Sequence, residues 1–474
     1  MSSPEHIEKS FAPFREKMQA AGLGESAIRA FRGSYAALLA GQTGMIPEDT
    51  IIPAENLPHA DTLVPPATER AHALLRQSVV IKLNGGLGTS MGLEKAKSLL
   101  RVRGEDTFLD LIARQILHLR KQTGGKAPVF MLMNSFSTSA DTAAHLTARF
   151  PELGGRETWE LMQNKVPKVL AHSLEPAAWE SNPDQEWCPP GHGDIYACLA
   201  GSGWLKRLLD SGVRYAFVSN SDNLGATLDP AILAWFAGSG MPFAMEVTRR
   251  TESDKKGGHL AVRVRDSRFL LRESAQCPKE HEHHFQNIDL HRYFNTNNLW
   301  IDLLALQTAL EANEGIIPLP PIMNRKTVDP RDSGSPEVVQ LETAMGAAIE
   351  CFHGAGAIEV SRARFAPVKT TGDLLAVRSD AYELTDDFCL RLHPVRNGQP
   401  PHLRLDQTLC KLVEGMEKHF PHTPSLRHCH SLLVHGPVEC AAGVIFKGDV
   451  VIHNHTHTPL KLAAGVQESR ISVE

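Results

Sequence analysis

Residues 79–100 read VVIKLNGGLGTSMGLEKAKSLL. The run Val79-Val80-Ile81-Lys82-Leu83 has the length and β-branched content of a buried strand, and it stops at Asn84. Gly85, Gly86, Gly88 and Gly92 follow, then Lys95, Lys97 and Ser98. Glycines let a ligand approach the backbone itself, and free N–H groups in such a turn favour anions. A lysine adds a point charge for phosphate. A P-loop is excluded, because no glycine pair has its GxxxxG spacing followed by Lys-Ser or Lys-Thr. The dinucleotide pattern GxGxxG is also broken: Gly86 and Gly88 begin it, but the next glycine is one place late, at Gly92. A structural turn competes with a nucleotide site. The strand before it and the lysines after it favour the nucleotide, at the carboxyl end of a parallel strand.

Working outward, Val129–Met133, Tyr215–Ser219 and Phe243–Val247 are further short apolar runs, and 107–121 has helical spacing. This alternation predicts an α/β domain with a largely parallel sheet covered on both faces. Residues 5–41 carry helical periodicity through Phe11, Phe14, Met18, Leu23, Ile28, Phe31 and Leu38. Residues 45–68 are proline-rich and aperiodic, which predicts an extended surface strap. Beyond Arg391 a linker leads to short β-rich pieces separated by glycines, expected to form a small all-β tail or short β-helix. The expected division is 1–68 helical segment and strap, 69–390 catalytic domain, and 391–474 linker and tail.

The chain has 474 residues, 42% hydrophobic and 22% charged, with formal net charge −5. That is ample for a buried core and carries no broad basic footprint for nucleic acid. No apolar run approaches the ~18 residues of a membrane span, and the N-terminus has no secretory pattern. The eight cysteines are scattered without a CxxC pair, as expected for reduced, mostly buried thiols in a cytoplasmic protein.

The loop LNGGLGTSMG followed by AKS resembles the signature of the eukaryotic-type UTP–glucose-1-phosphate uridylyltransferase family. Further segments resemble the family in its order: QNKVPK (163–168), CPPGHGDIY (188–196), SNSDNLGATLD (219–229), EVTRRTESDKKGGHLA (246–261), FNTNNLW (294–300), QLETAMGAAI (340–349) and RFAPVKTTGDLL (364–375). The resemblance spans about residues 45–384 and continues more weakly into the tail. It implies a Rossmann-like nucleotidyltransferase domain with a central mixed, mainly parallel sheet, helices on both faces, and a small C-terminal left-handed β-helix. It also implies a reaction of UTP with glucose 1-phosphate that gives UDP-glucose and pyrophosphate, with Mg²⁺ as cofactor.

The resemblance carries roles onto matching positions. Lys97 and Lys369 are the expected catalytic lysines on the phosphates. Leu83, Asn84, Gly85, Gly86, Gln163, Gly191 and Asp222 are expected to hold the nucleotide. Gln163 matches the glutamine that reads the uracil edge, for which a carboxamide offers both donor and acceptor. Asp222 is the candidate Mg²⁺ ligand. His192, Asn220, Gly258, Asn297, Asn298 and Glu342 are expected around the sugar phosphate. Bland alternatives stand beside each: a surface lysine for Lys97 or Lys369, an Asp turn or cap for Asp222, and an Asn-rich turn capping a helix from Leu299 for FNTNNLW. Phe365, Pro367 and Val368 are expected to wall the stem of Lys369.

The chain departs from the family where MGLEKAKS replaces a Cys-Lys-Gly-Pro form, and where Lys168 stands in place of a common arginine. GGLGTSMG differs from the arginine-bearing GGxGTRLG loop of UDP-N-acetylhexosamine pyrophosphorylases, which with broad-specificity UDP-sugar pyrophosphorylases are the nearest alternatives. A silent nucleotide-sugar binder and a dehydrogenase are more distant ones. The His-rich tracts EHEHH (280–284) and HNHTHT (453–458) are read as solvated faces rather than metal sites. The β-rich tail is the candidate surface for a homo-oligomer.

Overall fold

The computed structural model describes residues 3–473. The N-terminal periodicity folds as two helices, Pro4–Ala20 and Glu25–Leu39. Phe11, Phe14, Phe31 and Tyr35 meet between them, with the Phe14 and Tyr35 rings 4.7 Å apart. The pair packs on Val166, Val169, Val339 and Leu341. The helices therefore brace strands close to the glycine loop.

The strap is not wholly irregular. Ile51–Pro53 forms the edge strand of the main sheet, antiparallel to His259–Arg263. Three residues ending in proline carry no readable period, and proline is tolerated at an edge where a ladder N–H is not needed.

At the centre of the sheet lies Ser78–Asn84, flanked in parallel by Val129–Asn134 and Tyr215–Asn220. Glu160–Met162 extends the parallel side. On the other side the direction reverses. Tyr293–Asp302 runs antiparallel to both Tyr215–Asn220 and Phe243–Arg249, and Phe243–Arg249 is parallel to Gly356–Glu359. The sheet is thus mixed rather than mainly parallel. FNTNNLW is the reason: it forms part of this ten-residue strand, not a turn capping a helix from Leu299. The helix begins at Leu303, where Asp302 accepts the amides of Leu304 and Ala305. Asparagine is poor in strands, and a bulge accommodates it here. Pairing jumps from Asn298–Glu246 to Asn295–Val247, and Asn297 takes φ 58°.

Strand alternation splits the core into two layers. Val79, Ile81, Met131, Met133, Ala216 and Val218 face the helices Ile195–Gly201, Trp204–Asp210 and Leu303–Ala312. Val80, Phe130, Leu132 and Phe217 face Phe108–Thr123 and Pro230–Ser239. Both faces are covered, which is why these strands read as unbroken apolar runs.

In the tail, His402–Arg404, Ser425–His435 and Val444–Asn454 pair in parallel, with Gly465–Gln467 and Arg470–Val473 also parallel to the last of these. Val438–Cys440 pairs in parallel with Leu460–Leu462. Leu432, Val434, Phe446 and Ile452 belong to the same apolar cluster as Val80 and Leu374, so the tail shares the core of the domain before it. All eight cysteines are free and six are buried. No helix among the described residues is long and apolar enough to cross a membrane.

Candidate active site

The parallel strands end together. Asn84 lies in register with Asn134, and Leu83 with Asn220. The buried Asn84 amide donates to Asn134 Oδ1 at 2.7 Å and Thr142 Oγ1 at 3.0 Å, and its oxygen accepts from Ser221 at 3.3 Å. Its side chain ties strand ends together, so only backbone around Leu83 and Asn84 is left for a ligand.

No helix follows the glycine loop. Two short 3₁₀ turns, Thr89–Met91 and Lys97–Leu99, fold it back on itself. The Lys97 amide donates to Gly86 O at 3.2 Å, and Leu87 bridges Ala96. Lys97 therefore stands at the base of a closed loop, beside its glycines. Lys95 is exposed and also outside any helix.

Gln163 enters between two glycines. Its Nε2 donates to Gly191 O at 3.1 Å, and a Cβ placed on Gly85 would lie 2.6 Å from its Oε1. Gly191 has φ 80° and ψ 171°, a backbone state open essentially to glycine alone. A side chain there would also collide with the Thr343 carbonyl. Gly85, Gln163 and Gly191 thus form a slot with a carboxamide in its wall, and Glu342 lies beside Gly191.

His192 accepts the Met345 amide on Nδ1 at 2.9 Å. Burial pushes its pKa down to about 4. The ring is therefore neutral at pH 7 with its proton on Nε2, a neutral donor.

Opposite the loop, Lys97 Nζ meets Asp222 Oδ2 at 2.7 Å. Asp222 Oδ1 is buried with no hydrogen-bond partner. An orphaned carboxylate oxygen beside a phosphate-type loop fits a hard cation, which takes few protein ligands and completes its shell with phosphate and water. Asn220, the last residue of the strand Tyr215–Asn220 that leads to Asp222, is half-buried.

Lys369 is exposed, and its ammonium lies 6.0 Å from the Phe294 ring centre. Phe365 packs on Phe294 at 5.1 Å, and Val368 is buried. These residues fix the backbone, and Phe294 presents an aromatic ring to the ammonium. Gly258 is buried, and a Cβ there would lie 2.6 Å from Glu273 Oε2. Asn297 exchanges two hydrogen bonds with Asn295, each 2.9 Å. Asn298 is fully buried and donates to Glu246 at 2.9 Å, while its oxygen is unpartnered.

Sequence reasoning passed over four structural supports. Asp194 accepts Asn164 N at 2.7 Å and so fastens the Gln163 segment to the Gly191–His192 turn. Asn223 accepts Ala366 N at 3.0 Å and donates to Arg364 O at 3.1 Å. Arg364 in turn pairs with buried Glu246 at 2.7 Å. Lys82 is buried beneath the Asp222 loop. Each has its partner remote in sequence, so no local pattern marked its role. Lys168, where the family commonly has arginine, is buried and donates to Val328 O at 2.8 Å. A cavity of about 540 Å³ lies behind the Gly191 turn, lined by Ala27, Phe31, Asp194, Arg263 and Thr343, away from Lys97 and Asp222.

A closed glycine loop at the ends of parallel strands, faced by a lysine–aspartate pair and a carboxamide slot, defines an α/β nucleotide-binding protein. A family model described as UTP–glucose-1-phosphate uridylyltransferase matches residues 29–447. The Saccharomyces cerevisiae protein of that name is 42% identical over 379 residues, covering 80% of this chain and 74% of its own. The open and closed structures of Leishmania major UDP-glucose pyrophosphorylase align at 47% identity and TM-score 0.93, covering 98% of this chain and 99% of theirs. A Trypanosoma brucei UDP-glucose phosphorylase aligns at 49% identity and TM-score 0.90, with 98% and 100% covered. The chain belongs to the UTP–glucose-1-phosphate uridylyltransferase family.

Proposed function

We propose that this chain joins glucose 1-phosphate to UTP, releasing pyrophosphate and forming UDP-glucose. The observation that carries this reading is the carboxamide slot of Gln163 between Gly85 and Gly191, set beside the Lys97–Asp222 pair. The slot suits an imide-bearing base, and the pair suits its phosphates.

The attacking atom is a phosphate oxygen of the sugar, already ionised at neutral pH. It attacks the α-phosphorus in line, the bond to the β-phosphate bridging oxygen breaks, and pyrophosphate leaves. No base is needed. The chain supplies alignment and charge. Gln163 reads the base with the backbone of Gly85 and Gly191. Lys97 turns from Asp222 to the triphosphate. Lys369, held by the Asp222 loop, faces the sugar-phosphate side, and His192 offers its neutral Nε2–H there. Asn220, Gly258, Asn297 and Glu342 line the hexose. Asn298 acts behind them, by holding Glu246. Asp222 would hold Mg²⁺ through Oδ1, and the ion supplies charge neutralisation on the triphosphate when bound.

The parallel coils of the tail are read as the family's left-handed β-helix and as a surface for self-association. Sedimentation showing only monomer at micromolar protein would overturn the latter. The whole is expected to work in the cytoplasm.

The deciding assay is pyrophosphate release with Mg²⁺ and UTP, comparing glucose 1-phosphate, galactose 1-phosphate and N-acetylglucosamine 1-phosphate. Release with glucose 1-phosphate alone supports the proposal. Comparable release with several sugars would assign a broad-specificity pyrophosphorylase, and none with any would overturn the activity.

A further inference from the structure

Lys82 sits in the central strand with its side chain almost wholly buried. Its ammonium donates to Ser219 Oγ at 2.8 Å and to Ala226 O at 2.6 Å. No carboxylate of the described residues makes an ion pair with it. The charged and titratable groups around it are Arg364, Glu246, Asp222 and Cys389. Burial and Arg364 push its pKa down to about 7. It also lies 5.9 Å from the Phe217 ring centre, and a buried ammonium held only by neutral oxygens and a ring face is costly. Val80 and Phe217 on the same face are apolar, so the charge stands alone among hydrophobic side chains. Local rules are broken in this way where function compensates.

The two acceptors make the position informative. Ser219 and Ala226 are the two ends of the segment that presents Asp222. Ser219 is in register with Lys82, so one end is reached across the sheet. The same segment holds the approach to Lys369. Val368 N donates to Asp222 O at 3.3 Å, Asn223 binds both Arg364 O and Ala366 N, and Asn223 bridges Pro367. Gly225 passes so close to the Ala363 carbonyl that no side chain fits.

We propose that Lys82 is a positioning residue: its ammonium closes the base of the 219–226 loop and so sets the place of Asp222 and, through Asn223, of the Lys369 segment. The proposal rests on the uridylyltransferase reading for its catalytic consequence, but not for the clamp itself.

The test is Lys82→Met, which keeps the stem and removes charge and donors. Thermal stability is expected to hold or rise, because a buried unpaired charge is lost. Turnover is expected to fall about tenfold or more, as when aligned electrostatic groups are displaced. UDP-glucose binding in EDTA, which depends on the Gln163 slot, should stay within about twofold, a shift under half a kcal/mol. Amides of Ser221, Ala226, Ala366 and Val368 should exchange about tenfold faster, reporting local opening. Amides of Asn164 and Asp194 should not change. A lower melting temperature with unchanged turnover and unchanged loop exchange would make Lys82 merely structural and overturn the proposal. Should Lys82→Met not fold, Ser219→Ala removes one acceptor alone, with about a threefold smaller change expected in the same amides; no change there overturns the proposal equally. Exchange needs no substrate. An inactive wild-type enzyme with accelerated loops in the variant would therefore sink the activity reading and keep the clamp.

Discussion

Lys97 and Asp222 are joined at 2.7 Å across the mouth of the site, while the second Asp222 oxygen has no partner. Two groups expected to serve the triphosphate thus neutralise each other without it. On the proposed function, binding exchanges this pair for phosphate and cation. Asp222→Ala is expected to lower turnover about 10²-fold or more, in the range of a lost transition-state contact. Pyrophosphate release measured over a Mg²⁺ series checks this, and an unaltered Mg²⁺ dependence would remove Asp222 from the metal.

Lys369 is exposed and carries no ion-pair partner among the described residues, so its removal should leave the fold intact. Lys369→Ala is expected to lose most turnover, about 10²-fold, while UDP-glucose still binds. Single-turnover kinetics beside calorimetric binding separate the two. A wild-type rate would show that the second phosphate lysine lies elsewhere.

Gly191 combines a glycine-only backbone state with a carbonyl where a side chain would go. Gly191→Ala should cost about 1–3 kcal/mol of local strain. The turn would relieve it by moving away from Gln163. KM for UTP is expected to rise at least as strongly as kcat falls; an unchanged KM would mean that the slot does not hold the base.

His192 titrates near 6.5 when unfolded and is pushed to about 4 in the fold. Between these values the unfolded chain binds the extra proton. The contribution to stability is thus full above about 6.5 and is lost as pH falls towards 4. His192→Leu should flatten this part of the profile. Urea unfolding of both proteins at neutral pH and again near pH 5 measures it, and parallel losses would assign the acid sensitivity to other groups.

Much of this was legible in order along the chain. The strand before Asn84 was visible because both its faces are buried, which leaves an apolar run interrupted only by Lys82. The glycine loop was visible because close backbone approach demands glycine at fixed places. The edge strand Ile51–Pro53 and the FNTNNLW strand were not visible, because proline and asparagine hide strands whose pairing is set by distant partners. The partners of Lys82, Asp194 and Asn223 were illegible for the same reason: hydrogen bonds across 30 to 144 positions leave no local pattern.

The sequence by itself determined the family and the glycine loop that follows the central strand, because those depend on residue type at short spacing. Only the tertiary structure decided the mixed direction of the sheet, the sharing of one core between tail and catalytic domain, and the pairing of Lys97 with Asp222. Each of these is a contact between distant segments, fixed by packing and by the need of buried polar atoms for partners, and a linear pattern carries neither.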